Sequence, residues 1–222
     1  MLLLLDTNVQ TQKLRFDPRH EDAQRAIRGA RWKSTTPEDQ ADLTTLWRTI
    51  ATKLKRGGFV FFHVDGDVRW SAYRSSENAR KFDDIVRVRV GRVLQHGPPE
   101  AAPHMVDELL TRLFAVIPCY AMESWLYQNT AVAIELCQGR YKGRDVARFE
   151  AWRVIRAALD GVEKPKAVVC LGSTHNHELA KSHFPYGEVY DAGASYAAVV
   201  NRLLSCAPLL EALRSTWALD PG

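Results

Sequence analysis

Long apolar runs are scarce in this sequence, and that scarcity excludes more than any other absence. The apolar opening, Met1 to Leu5, falls far short of the ~20 residues a membrane-spanning helix needs. It also lacks the basic flank and small-residue cleavage site of a signal peptide, so no membrane is expected as a partner. Cysteine is sparse as well. Cys119, Cys137, Cys170 and Cys206 show no CxxC spacing and sit among apolar neighbours, which reads as reduced core thiols in a cytoplasmic protein. Charge of one sign is missing too: 30 basic against 26 acidic residues leave +4, which tolerates a polyanion without announcing one. No repeat of fixed period is present.

What is there is ordinary globular material. Apolar residues make up 46% and charged residues 25% of 222, enough for one domain with an insertion, or two small ones, at about 150 residues per domain. Leu2–Leu5 reads as a buried first strand ending at Asp6-Thr7-Asn8. Pro18 to Glu21 opens a helix towards Arg31. Thr36-Pro37-Glu38-Asp39 opens a second, with Leu43, Leu46, Trp47, Ile50 and Leu54 at helical spacing and Gly57-Gly58 as its stop. Phe59–Val64 is apolar on both faces, as a central parallel strand should be. Ile85–Val90 fits either an alternating strand or a basic helix face. Further on, the pattern predicts helices at 106–113, 123–137, 149–159, 177–183 and 196–217, a third apolar run at Phe114–Tyr120, and a short strand at Lys166–Leu171. The alternation implies an α/β fold with a mainly parallel sheet of about four strands flanked by helices. Residues 9–57 read as a helical insertion after the first strand and 140–222 as a C-terminal α/β extension of one domain.

The sharpest chemical feature is Asp65-Gly66-Asp67, directly after a buried apolar strand. Carboxylates at i and i+2 at the C-terminal end of a parallel strand share one side of the turn, at the edge where ligands of open α/β sheets bind. Two such groups repel, and hard oxygen donors favour Mg²⁺ or Mn²⁺ between them. Asp-Gly-Asp is also a common turn sequence, which explains it without a ligand. Asp6 after the first strand and Glu123 after the third apolar run stand in comparable places, although Asp6 also suits a cap of the next turn and Glu123 the first turn of a helix. Arg69, Arg74, Arg80, Arg87, Arg89 and Arg92 follow the acid pair and form either a phosphate track or a solvated helix face.

Phe61-Phe62-His63-Val64-Asp65-Gly66-Asp67, followed by Ile117-Pro118-Cys119-Tyr120-Ala121-Met122-Glu123-Ser124-Trp125-Leu126, resembles the Toprim-like nucleases of prokaryotic defence systems related to the OLD family. Lys164-Pro165-Lys166 and Ala194-Ser195-Tyr196 extend the resemblance over about 59–210. It implies a Toprim core in which Asp65, Asp67, Glu123 and Asp6 hold Mg²⁺ or Mn²⁺ and hydrolyse a nucleic-acid phosphodiester, DNA ahead of RNA, beside an ATPase partner in an antiviral complex. Such domains carry a glutamate after the first strand, where this chain has Asp6. A catalytically degenerate subunit with a binding or regulatory role therefore stands as the alternative.

Leu3-Leu4-Leu5-Asp6-Thr7-Asn8-Val9 resembles the opening of PIN-domain ribonucleases, which would place Asp6 on the metal and RNA as substrate. That likeness covers fewer than ten residues and leaves the later acids unexplained. His175-Asn176-His177-Glu178, with His183, could bind Zn²⁺, or simply form a polar loop and helix start. Trp32, Trp47, Trp125, Trp152 and Trp217 occupy apolar helical positions and read as core. Trp70, beside the acid pair, is the exception.

Overall fold

In the computed structural model, residues 36–98, 100–181 and 183–215 are described. The expected first strand, Asp6, the Asp-Thr-Asn motif and the helix towards Arg31 lie outside them. The first element, α1 (Pro37–Lys55), begins as its sequence predicts. Thr36 Oγ1 accepts from the Asp39 N–H at 3.1 Å and Asp39 Oδ2 accepts from the Thr36 N–H at 3.1 Å, closing a capping box with Pro37 in the first turn. Leu46, Trp47, Ile50, Ala51 and Leu54 bury one face. Gly57, at φ 80°, turns the chain out of the helix.

β1 (Val60–His63) pairs in parallel with β2 (Leu113–Val116), Val60 facing Leu113 and His63 facing Val116. Between them run a 3₁₀ turn (Trp70–Ser75), α2 (Glu77–Lys81), a π-helical turn (Phe82–Arg87), α3 (Val88–His96) and α4 (Pro103–Leu110). The ambiguous 85–90 stretch is therefore helical. Phe82, Val86, Val90 and Leu94 recur every fourth residue and are all buried, a stripe that fits a helix and not an alternating strand.

Beyond β2 come α5 (Glu123–Leu126), α6 (Thr130–Tyr141), α7 (Val146–Val154), α8 (Asn176–Lys181), α9 (Tyr186–Ala192), α10 (Ala194–Leu204) and α11 (Ala207–Ser215). The single helix expected over 123–137 is interrupted. At the break, Tyr127, Gln128 and Asn129 are buried, and their side chains donate to the Leu171, Arg156 and Leu179 carbonyls. Those long-range bonds satisfy distant backbone that a continuous helix would leave without partners.

The fold is mixed α/β, mostly helical, with two strands among the described residues where about four were expected. Lys166–Leu171 is not a strand. Lys164 takes a left-handed φ of 48°, Pro165–Ala167 forms a 3₁₀ turn, and side chains replace a ladder for the backbone that follows. Arg148 donates to the Val168 carbonyl, Asp145 Oδ2 accepts from the Cys170 N–H and Tyr127 Oη donates to the Leu171 carbonyl.

Helices bury both faces of β2, whereas Phe61 leaves one face of β1 partly open, so β1 is not the strand buried on both faces that its sequence predicted. Phe62, Leu113 and Ala115 join the stripe from α1, α3 and α4, while Phe114 packs on Leu203, Cys206, Leu209 and Leu213. Phe61 stacks on Phe114 at 5.4 Å between ring centres. A further core gathers Tyr127, Cys137, Phe149, Trp152, Leu159, Leu171 and Leu179. No single helix among the described residues is long and apolar enough to cross a membrane; α10 and α11 together approach that composition, bent by 80°, and their apolar faces lie in these cores.

Candidate metal centre

Where β1 ends, the strand pairing continues in irregular form. Gly66 N–H donates to the Pro118 carbonyl at 3.0 Å, Asp67 N–H to the Tyr120 carbonyl at 3.3 Å, and Tyr120 N–H to the Val68 carbonyl at 3.1 Å. A side chain at position 66 has no room, since a Cβ there would stand 2.5 Å from the Pro118 oxygen. Asp67 and Tyr120 both take left-handed backbone, φ 57° and 51°, conformations that non-glycine residues hold only when surrounding contacts impose them.

Around Asp67 those contacts come from α2 and its N-cap. Ser76, its N-cap, accepts from the Ala79 N–H and donates its hydroxyl to the Gly66 carbonyl at 2.8 Å. Asn78 Nδ2 donates both to the Asp65 carbonyl at 2.7 Å and to Asp67 Oδ2 at 2.9 Å. The two aspartates are thus held on a loop fixed by the Pro118–Tyr120 segment after β2 and by Ser76 and Asn78 at the start of α2. His63 Nε2 lies 3.6 Å from Asp65 Oδ1, with both side chains partly open to solvent. Burial, and next the charge of Asp65, raise the Asp67 pKa above the usual 3.8; Asn78 and Lys81 oppose them. The Asp65 charge thus disfavours ionisation of Asp67, second to burial, as a neighbouring carboxylate does.

Glu123 is differently placed. It opens α5 with its side chain almost fully buried, and its Oε1 accepts from Asn176 Nδ2 at 2.8 Å while facing Lys166 Nζ at 3.3 Å. The opposite atom of the Asn176 amide, Oδ1, is buried without a partner. Among the described residues no three His, Cys, Asp or Glu side chains converge to hold a metal ion, so Asp65 and Asp67 stand as a pair and Glu123 is instead neutralised by a lysine.

No family model, curated protein or solved structure matches the chain.

The arginines divide. Arg69, Arg74, Arg80, Arg89 and Arg92 are exposed on the segment after the acid loop. Arg87 is half-buried, and its Nη1 donates at 3.4 Å to the Leu110 carbonyl, which precedes β2. In a parallel pair that is the opposite end from Asp65, so Arg87 does not line the acid loop. It shares a cleft with Thr111, Arg202 and Ser205.

Of the histidine group, His175 has a structural role. His175 is buried, its Nδ1 lies 3.1 Å from the Gly172 N, and its Nε2 lies 3.1 Å from Tyr141 Oη. Trp47, Trp125 and Trp152 are core residues as expected, while Trp32 and Trp217 lie outside the described residues.

Sequence reasoning missed Asn78, Ser76 and Lys166, which position the acids, and a buried network behind them. There Ser195 Oγ donates to Asp160 Oδ1 at 2.5 Å, the Ser195 N–H donates to Asp160 Oδ2 at 3.0 Å, and Trp125 Nε1 donates to Ser195 Oγ at 2.8 Å. The Ser-Glu-Asn of 76–78 after a 3₁₀ turn carried the capping signal; nothing local could pair Lys166 with a glutamate 43 positions away.

Proposed function

We propose that the protein is a divalent-cation-dependent nuclease, hydrolysing nucleic-acid phosphodiesters at Asp65 and Asp67 on a Toprim-like α/β unit. The observation that carries this reading is the clamped Asp65-Gly66-Asp67 loop at the C-terminal end of a parallel strand, with Asp67 titrating high partly because Asp65 is charged beside it. Two partly open carboxylates with oxygen-only donors suit Mg²⁺ or Mn²⁺. When bound, such a cation supplies charge stabilisation at the phosphoryl group and acidifies water.

The chain's own residues do the rest. Asn78 ties the Asp67 carboxylate to the Asp65 backbone carbonyl, and Gly66 lets the loop lie against Pro118, just after β2. His63, beside Asp65, exchanges a proton at Nε2 with water near the acids. The exposed Arg69, Arg74 and Arg80 hold backbone phosphates without reading sequence. DNA is preferred to RNA as substrate.

A second reading rests on Glu123. A carboxylate buried against Lys166 and Asn176 holds loops together and is not open to a cation, which favours a degenerate subunit that binds nucleic acid or a partner ATPase without cutting. One experiment separates the two. Plasmid and single-stranded substrates are incubated with the protein in Mg²⁺ or Mn²⁺ beside Asp65→Ala/Asp67→Ala, and Mn²⁺ binding is followed by calorimetry. Cleavage and Mn²⁺ binding lost together in the variant support the nuclease. Mn²⁺ binding or cleavage equal in both proteins removes the acid pair from the proposal.

A further inference from the structure

We propose that Cys137 and Cys170 form a redox modification site, a dithiol that closes to an intramolecular disulfide when a peroxide oxidant is present. All four cysteines are free thiols, but only these two meet. Cys170 Sγ lies 3.0 Å from Cys137 Sγ, closer than non-bonded sulfurs normally stand. A disulfide needs about 2.05 Å, so roughly 1 Å of approach completes the bond.

The pair is assembled by three separate elements. Cys137 is fully buried on α6, one turn from the helix end. Cys170 sits on the irregular 168–171 segment and is half-exposed, so an oxidant reaches that sulfur first. Asp145, just before α7, holds both: its Oδ2 accepts from the Cys170 N–H at 2.7 Å and its own N–H donates to Cys137 Sγ at 3.3 Å. Cys119 and Cys206 are buried in other parts of the fold, Cys206 against Phe114.

The chemistry balances with hydrogen peroxide. Cys170 sulfur, as the thiolate, attacks one peroxide oxygen, the O–O bond breaks, and the departing hydroxide takes up a proton to leave as water. Cys137 sulfur then displaces the hydroxyl of the resulting sulfenic acid, the S–O bond breaks, and a second water leaves. Two thiols lose two electrons and two protons, and the peroxide gains both. A small dithiol reductant reverses the sequence. Burial, with Cys137 and Asp145 adding to it, pushes the Cys170 thiol up to about 12. The thiolate is therefore the minor form at neutral pH, which slows the first step. Because the resolving thiol is already in contact, oxidation stops at the disulfide and does not climb to the sulfinic acid.

The test uses the full chain under native conditions. Protein is titrated with hydrogen peroxide, quenched by unfolding in an alkylating agent, and analysed by intact mass and a non-reducing peptide map. The expected result is two fewer alkylated thiols and a cross-linked peptide joining Cys137 to Cys170, both reversed by dithiothreitol. Cys170→Ser is expected to leave Cys137 alkylatable at the same dose. The proposal is overturned if Cys119 or Cys206 is oxidised while Cys137 and Cys170 remain alkylatable. It is equally overturned if Cys170 gains two oxygens with no cross-link formed. Neither outcome depends on the nuclease reading.

Discussion

Replacing Gly66 with alanine is the most direct test of how the acid loop is built. The added methyl would stand 2.5 Å from the Pro118 carbonyl oxygen and 3.4 Å from Ile117 Cγ2. The first contact is with backbone, which cannot rotate away, so the two loops must separate by close to an ångström. That movement loosens the Gly66 N–H bond to Pro118 and strains the Ser76 bond to the Gly66 carbonyl. Overpacking against a fixed neighbour with one weakened buried hydrogen bond costs about 2–3 kcal/mol. For a chain of this size that lowers Tm by roughly 5–10 °C.

Differential scanning calorimetry, with urea melts as a second measure, reads the change. Gly139→Ala supplies the internal control: position 139 lies on the exposed side of α6 with nothing within 4 Å of a new Cβ. Removing a helix-interior glycine there should stabilise the protein by about 0.5–1 kcal/mol. A Gly66→Ala protein that melts with the parent, while Gly139→Ala behaves as expected, would refute the packed-loop geometry and with it the positioning of Asp65 and Asp67.

Other perturbations act on single contacts. Ser195→Ala removes the acceptor of Trp125 Nε1 and one donor to Asp160 in a buried site, and should cost about 2–4 kcal/mol in urea melts; a change under about 1 kcal/mol would mean that water or another group replaces the hydroxyl. Asp67→Asn tests the electrostatics. With its folded pKa raised above 3.8, the native state binds the proton more tightly than the unfolded chain, so stability falls as pH rises from 3.8 through the raised value and stays lower above it. The asparagine variant, which tolerates the left-handed backbone, should melt above the parent at pH 7 and lose that advantage below pH 3.8. A variant less stable than the parent at both pH values contradicts this. Lys166→Met leaves Glu123 with Asn176 alone; because the lysine is about half exposed, the loss should be about 1 kcal/mol, read from the urea midpoint at unchanged m.

Local signals were legible in the sequence and distant ones were not. The capping box at Thr36 and Asp39, the apolar strand before Asp65 and the breaks at Gly57-Gly58 each depend on neighbours within four residues, and the structure keeps all of them. The predicted strand at Lys166–Leu171 failed because its apolar residues face the core of α6 and α7, and side chains from Tyr127, Asp145 and Arg148 supply the hydrogen bonds a ladder would have made. The helix over 123–137 failed for the related reason that Tyr127 to Asn129 serve backbone 28 to 50 positions away. At the site, Asp65 and Asp67 were found by strand-end logic, whereas Asn78 and the Lys166–Glu123 pair depend on how separate segments meet.

The π-helical turn Phe82–Arg87 acts as a phase adjuster between two jobs on one continuous helical rod. Upstream, Ser76 and Asn78 must face the acid loop; downstream, Val90 and Leu94 must face the core. Each residue advances an ordinary helix by about 100°, so the wider turn sets the angular offset between those two faces. Deleting one residue from 82–87 would leave both halves helical and rotate Asn78 by about a quarter-turn or more away from Asp67. The grip on the acids is therefore set by the length of that turn as much as by the identity of the residue that makes the contact.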